Sequence, residues 1–222
     1  GGYVVGSMYT HRKVFGHIAK AVGCKALILH YRRAPEHPHP AQVEDSVTAY
    51  GWLLDQGHKP EHIFTTGDSA GGALCTSVLL GIRDKGLPLP AASLPMSPWY
   101  DPEATGETLK TNADKDCLVQ KEVLEGMAGM FLGGASSKDP LANLLCADLS
   151  GLPPIYIQVG GDETLLDDSL RFEKKARAAG VDVKVDVCPE MQHVFQFMAG
   201  KAPEADEAVQ KMADWVKPKL GL

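Results

Sequence analysis

Strand-length apolar runs alternate with helical patterns along almost the whole chain, and this alternation restricts the fold more than any other feature. The predicted strands are residues 26–31, 63–66, 91–96, 155–159 and 181–187. The first of these runs has no internal alternation, as is typical of a strand that is buried on both faces. The sequence therefore predicts an α/β chain with a mostly parallel sheet and helices on both faces.

Helical periodicity follows these runs, and the predicted buried faces can be named. Val43, Val47, Tyr50 and Leu54 share one face of a helix that stops at Gly57. A second face has Leu74, Val78 and Ile82, and the final helix has Ala205, Ala208, Val209, Met212, Ala213 and Val216 in phase. The last strand alternates strictly between valines and polar residues, which predicts a half-solvated sheet edge.

Composition limits both the class of protein and its partners. With 222 residues, 44% hydrophobic and 23% charged, the chain matches one ordinary globular domain spanning residues 1–222. A net charge of −6 without a long run of Lys or Arg indicates neither a nucleic-acid partner nor an anionic membrane surface. No apolar run reaches the roughly 18 residues of a membrane span.

Five scattered cysteines fit neither a disulfide framework nor a zinc spacing, so we expect them to be reduced and mostly buried. The given residues carry no signal-peptide pattern, and we expect a cytoplasmic protein unless an upstream region carries a signal.

About 55 residues separate the runs at 91–96 and 155–159, far more than the roughly 2–6 that are usual for such connections. We therefore predict an insertion at about 101–150. Its helical piece, residues 120–131, carries Val123, Met127, Met130 and Phe131. Two interpretations stay open, a surface excursion and a lid that lines a substrate pocket.

Gly67-Asp68-Ser69-Ala70-Gly71 matches G-x-S-x-G, a strand-to-helix turn that exposes a serine hydroxyl at the end of a sheet. The tight turn requires small residues two positions before and after the serine, and both are glycine here. The motif follows a predicted strand and begins a predicted helix, which is the context it needs. Ser69 is therefore the candidate nucleophile.

A serine hydroxyl needs a base within hydrogen-bond reach, and the base needs an orienting acid. His193 lies after the last predicted strand and before the final helix, and is the candidate base. His30 ends a predicted strand and could also reach a site, whereas the other histidines are expected to be solvated helix or loop side chains. Asp162 and Glu163 follow the preceding strand, and both remain candidates for the acid. The order Ser, acid, His is that of α/β-hydrolases. The N–H groups of Gly1, Gly2 and Ala70 are candidate donors to an oxyanion.

The chain resembles the hormone-sensitive-lipase-like branch of the α/β-hydrolases, which includes bacterial carboxylesterases and acetyl hydrolases. The resemblance lies in Gly1-Gly2-Tyr3, in YRRAPEHPHPAQVEDS from Tyr31 to Ser46, in GDSAGG, in Ser97-Pro98-Trp99, in LSGLPP from Leu149 to Pro154, in LLDDS and in PEMQHVF. Aligning the family's DPLxD-type acid segment with residues 163–167 favours Glu163 over Asp162.

The resemblance implies hydrolysis of short- to medium-chain carboxylic esters through an acyl-enzyme, with no cofactor or metal. It also implies a substrate pocket near Tyr3, Asp68, Trp99, Val194 and Phe195. The expected partner is a small-molecule ester, and a homodimer stays open. Other functions on this scaffold are a lactone or amide hydrolase, a small-molecule receptor and a catalytically dead fragment.

One departure from the family pattern concerns the start of the chain. The HGGG-type loop begins here at its second half, so its His and first Gly are missing. We accordingly expect an N-terminally truncated chain that lacks upstream strands and an N-terminal cap.

Overall fold

A four-stranded parallel sheet forms the centre of the computed structural model, which describes residues 1–222. The strands are β1 (Phe64–Asp68), β2 (Ala92–Met96), β3 (Ile155–Gly160) and β4 (Val183–Cys188), in the order β1-β2-β3-β4. Because every pair is parallel, all four carboxyl ends lie at one edge of the sheet. The predicted α/β architecture is confirmed, and it brings together the segments that follow each strand.

Seven helices accompany the sheet: α1 (Met8–Val22), α2 (Ala41–Asp55), α3 (Ala70–Asp84), α4 (Thr108–Thr111), α5 (Lys121–Leu132), α6 (Leu166–Ala178) and α7 (Pro203–Leu220). Short 3-10 helices cover Pro60–His62 and Phe195–Met198. Helices α1 and α7 share one apolar core with β2, while α3 and α6 share another with β3. Helices therefore cover both faces of the sheet, as predicted.

The predicted apolar helix faces are the buried ones. In α7, Met212 and Val216 are fully buried, and burial of each such side chain stabilises the fold by about 1.5–3 kcal/mol. In α3, the predicted face is buried against the same core as Val43 and Val47 of α2. Strand β4 pairs only with β3, which confirms it as a sheet edge.

Residues 26–31 do not form the strand that the sequence predicts. They have no regular secondary structure and make no backbone hydrogen bond, and Leu27 is 56% exposed. An extended apolar run becomes a strand only when a neighbouring strand pairs with its N–H and C=O groups. Here the run faces β1 across a cleft of about 710 Å³. No strand lies between the two segments.

The long connection between β2 and β3 contains α4 and α5. Helix α5 packs through Leu124, Ala128 and Phe131, which belong to the core around α2 and α3. Val123 and Met130 are 50% and 39% exposed, so they lie on the side of α5 that does not face this core.

The cysteines are all free, as expected, but their predicted burial is largely wrong. Cys75 is buried, whereas Cys117 and Cys146 lie in the exposed parts of the insertion. None of the helices combines the length and the apolar character needed to cross a membrane.

Candidate active site

Ser69 lies in a strained turn between β1 and α3. Its φ and ψ angles are 54° and −118°, outside the regions that non-glycine residues normally occupy. A Cβ atom on Gly67 would lie 2.1 Å from the carbonyl oxygen of Gly71, so the turn closes only because residue 67 is glycine. Two hydrogen bonds hold the backbone of Ser69. Its N–H donates to the carbonyl oxygen of Met96 at 2.9 Å, and its carbonyl oxygen accepts from the N–H of Trp99.

His193 and Glu163 meet at the same edge of the sheet as this turn. Nδ1 of His193 lies 2.9 Å from Oε2 of Glu163, and the carboxyl group is fully buried. Asp162 points elsewhere, with its carboxylate 3.5 Å from the ammonium group of Lys115. The structure thus brings Glu163, and not Asp162, to the imidazole. Oγ of Ser69 makes no hydrogen bond to His193 here, and such bonds often tighten only when substrate binds.

Opposing effects determine the pKa of His193. Burial of the ring is the largest effect and lowers the pKa. The hydrogen bond to Glu163 and the negative charges of Glu163, Asp116 and Asp68 raise it, and together they outweigh burial. The net result is a pKa above the ordinary value of 6.5.

The second oxygen of Glu163 is held by Ser97, which follows β2, and by Gly160 at the end of β3. Oε1 accepts hydrogen bonds from the hydroxyl of Ser97 at 2.6 Å and from the backbone N–H of Gly160. A Cβ atom on Gly160 would lie 2.1 Å from the carbonyl oxygen of Met191 and 3.0 Å from Oε1. Glycine at this position therefore allows the segment before His193 to approach the acid.

Side chains of the insertion hold the backbone around the acid, and the sequence analysis did not predict these contacts. The amide of Asn112 donates to the carbonyl oxygens of Gly161 and Glu163. Oδ2 of Asp116 accepts hydrogen bonds from the backbone N–H and the hydroxyl of Thr164. No short motif indicates these contacts. Ser97, by contrast, directly follows β2, and its position at the carboxyl edge of a parallel sheet is a signal that could have found it.

The predicted oxyanion donors differ in their surroundings. The N–H groups of Gly2 and Ala70 have no acceptor within the protein, which leaves both able to donate to a bound oxygen. Gly2 is buried, and a Cβ atom there would clash with the thioether of Met127 in α5. Gly1 is exposed, and its terminal amine donates to the carbonyl oxygen of Val5.

The predicted pocket residues are spread over several environments. Tyr3 stacks on Phe131 of α5 with ring centroids 3.9 Å apart, and Trp99 is buried in the same core. Phe195 belongs to the core on the other face of the sheet, and Val194 is 7% exposed. Of this set, Asp68 lines the large cleft. The pocket assignment stays a prediction.

His11 does not have the solvated environment that the sequence predicts. Nε2 of His11 lies 3.4 Å from Oδ2 of Asp68, the residue before the candidate nucleophile. The hydrogen bond to Asp68 raises the pKa of His11, against the effect of burial. This pair connects α1 to the serine turn. No group of three or more His, Cys, Asp or Glu side chains is arranged to hold a metal ion.

Parallel strands covered by helices on both faces, with a serine in a strained strand-to-helix turn, are typical of the α/β-hydrolase fold. Comparison with known proteins supports this class. The profile described as alpha/beta hydrolase fold matches residues 1–197, and the chain belongs to this family.

Its relatives include proteins named as acetyl-hydrolases and esterases. An acetyl-hydrolase from Streptomyces hygroscopicus is 40% identical over 221 residues, which are 100% of this chain and 74% of that protein. An esterase from Acinetobacter venetianus is 35% identical over 216 residues, 97% of this chain and 71% of that protein.

Solved structures of esterases superpose closely on this chain. The crystal structure of an esterase from the bacterial hormone-sensitive lipase family superposes with a TM-score of 0.98 at 50% identity, covering 100% of this chain and 74% of that one. An esterase/lipase from an uncultured bacterium superposes with a TM-score of 0.97 at 45% identity, covering 100% and 75%. The resemblance to this branch is confirmed.

Proposed function

We propose that this chain is a serine carboxylesterase that hydrolyses short- to medium-chain esters through an acyl-enzyme. The observation that carries the proposal is the placement of the strained Ser69 turn and the Glu163–His193 pair at one edge of the sheet. The esterase and acetyl-hydrolase names of the relatives support the same substrate class.

In the proposed reaction, Nε2 of His193 takes the proton from the Ser69 hydroxyl as Oγ attacks the ester carbonyl. Glu163 accepts from Nδ1–H, which keeps Nε2 free to act as the base and stabilises the imidazolium that forms. The N–H groups of Ala70 and Gly2 donate to the developing oxyanion. His193 then protonates the leaving alcohol. In the second half of the reaction, His193 takes a proton from water as the water attacks the acyl-enzyme, and it returns the proton to Ser69 as the carboxylic acid leaves.

Site-directed removal of the nucleophile tests the mechanism. Ser69→Ala is expected to abolish hydrolysis of p-nitrophenyl acetate and butyrate while the protein stays folded, because no acyl-enzyme can form. A fluorophosphonate probe should label wild type at Ser69 alone, as read by peptide mass spectrometry.

The exposed Ser150→Ala variant is the matched control and should keep wild-type turnover and labelling. Near-normal turnover of Ser69→Ala, or labelling at another residue, would contradict the proposal. Comparing esters with matched lactones and anilides then measures the preference for the leaving group. A receptor without hydrolytic activity is disfavoured, because the His193–Glu163 pair is intact.

A further inference from the structure

Ser97 contacts two parts of the candidate catalytic machinery at once. Its hydroxyl oxygen lies 2.6 Å from Oε1 of Glu163 and 3.1 Å from the backbone nitrogen of Val194, the residue after His193. The side chain is completely buried. It therefore joins the segment that carries the acid to the segment that carries the base.

The chemistry of the partners determines the direction of both hydrogen bonds. The N–H of Val194 can only donate, so the Ser97 oxygen accepts from it. The hydroxyl hydrogen is then available to Glu163, whose carboxylate accepts. Together with the N–H of Gly160, Ser97 saturates Oε1 and leaves Oε2 to accept from Nδ1 of His193.

The backbone around Ser97 is held in an unusual conformation that places the hydroxyl. Ser97 has a φ angle of 45°, in the left-handed region that disfavours side chains. Its N–H still donates to the carbonyl oxygen of Gln158 at 2.7 Å, as a continuation of the β2–β3 pairing. Val194, a β-branched residue, also has a positive φ of 53°. One hydroxyl thus connects two strained backbone positions.

We infer that Ser97 is a positioning residue that aligns Glu163 and His193 through a single shared hydroxyl. This inference rests on the proposed function. Its hydrogen bond to Oε1 stops the carboxylate from rotating away from the imidazole. Its bond to the N–H of Val194 fixes the backbone that carries the ring. Loss of the hydroxyl should therefore lower kcat and leave KM almost unchanged, because Ser97 is completely buried and its hydroxyl is engaged by Glu163 and Val194.

The positive φ angle allows a test that does not depend on disrupting the fold. Ser97→Gly removes the hydroxyl and favours the left-handed backbone, so its Tm should be equal to or higher than that of Ser97→Ala. We expect both variants to lower kcat for p-nitrophenyl butyrate by about 100-fold, the typical effect of a small misalignment of catalytic groups. Ser77→Ala, at a buried serine of α3 whose hydroxyl makes no hydrogen bond, is the matched control.

A spectroscopic measurement separates positioning from general stability. The Nδ1–H proton of His193, bonded to Glu163, should give a low-field proton NMR signal in wild type and in Ser77→Ala. This signal should broaden or move upfield in both Ser97 variants and be lost in Glu163→Gln. An unchanged signal with unchanged kcat in a folded Ser97→Gly would overturn the inference. Because the signal does not require turnover, it tests Ser97 even if wild type hydrolyses no ester, the outcome that would instead refute the proposed function.

Discussion

Backbone strain is concentrated at the candidate site. Six non-glycine residues have a positive φ angle, and Tyr3, Ser69, Ser97 and Val194 belong to or adjoin the site. Each such position costs about 1–3 kcal/mol and persists only because surrounding contacts hold it. The strain places side chains in directions that a relaxed strand or helix would not allow.

The acid is a first prediction at the residue scale. Glu163→Gln should lower kcat/KM by about 10⁴, because an amide can leave the imidazole in the wrong tautomer. Asp162→Asn is the matched control and should change activity only mildly, since its carboxylate faces Lys115 rather than His193. Turnover of both folded variants with p-nitrophenyl butyrate measures the difference, and the reverse ranking would assign the acid to Asp162.

The acid limb of the pH profile is a second prediction at this scale. His193 accepts a proton only when neutral, and its pKa is raised above 6.5, so kcat/KM should fall as pH decreases through a midpoint above 6.5. Glu163→Gln removes the main raising effect and leaves burial, which lowers the pKa, so its limb should move to lower pH. The exposed Glu122→Gln should keep the wild-type midpoint. A rate independent of pH between about 5 and 8 would argue against this base.

At the scale of secondary structure elements, the insertion holds the acid segment through side-chain hydrogen bonds. Asp116 is 3% exposed, and its carboxylate accepts from the N–H groups of Leu118, Val119 and Thr164. Helix α5 simultaneously covers Gly2 through Met127. The connection between β2 and β3 therefore packs directly against the residues that shape the site.

Removing this carboxylate tests the coupling between insertion and site. Asp116→Ala leaves buried donors unpaired, which should cost about 2–3 kcal/mol of unfolding free energy. For a chain of this size, that corresponds to a Tm lower by about 4–12 °C, measured by calorimetry. Esterase activity should fall at temperatures well below the new Tm. Asp114→Ala, an exposed neighbour without a side-chain hydrogen bond, should change neither quantity.

At the scale of the whole molecule, a largely apolar cleft lies between residues 26–31 and β1. Its lining includes Leu27, Leu29 and Phe64, and Leu27 and Leu29 are 56% and 36% exposed. The outer edge of β1 faces the same cleft without a partner strand. Exposed apolar surface beside an unpaired strand edge favours association.

We expect the 222-residue chain to bind the apolar dye ANS and to precipitate at moderate concentration. Replacing Leu27 and Leu29 together by lysine should reduce ANS fluorescence several-fold and increase the soluble yield. Leu222→Lys, at a site 65% exposed but outside the cleft, controls for added charge. Equal dye binding by wild type and the double variant would show that the cleft is not the surface to which ANS binds.

Local sequence patterns determine many of the secondary structure elements of this protein and the turn that carries its serine. Four of the predicted strands, the buried faces of α2, α3 and α7 and the serine turn depend on residues near one another in the chain. Their periodicity and glycine spacing therefore contain the necessary information. The choice of Glu163 over Asp162 came from a resemblance, and the structure places Glu163 beside His193.

Tertiary structure decided what depends on distant partners. Residues 26–31 have the composition of a buried strand, yet strand formation requires a paired neighbour that periodicity cannot supply. Ser97, Asn112 and Asp116 are ordinary polar residues in the sequence, and only folding brings them to the acid segment. The buried face of α5 was likewise set by the core it meets. Hydrogen bonding and packing across long sequence separations determined these features.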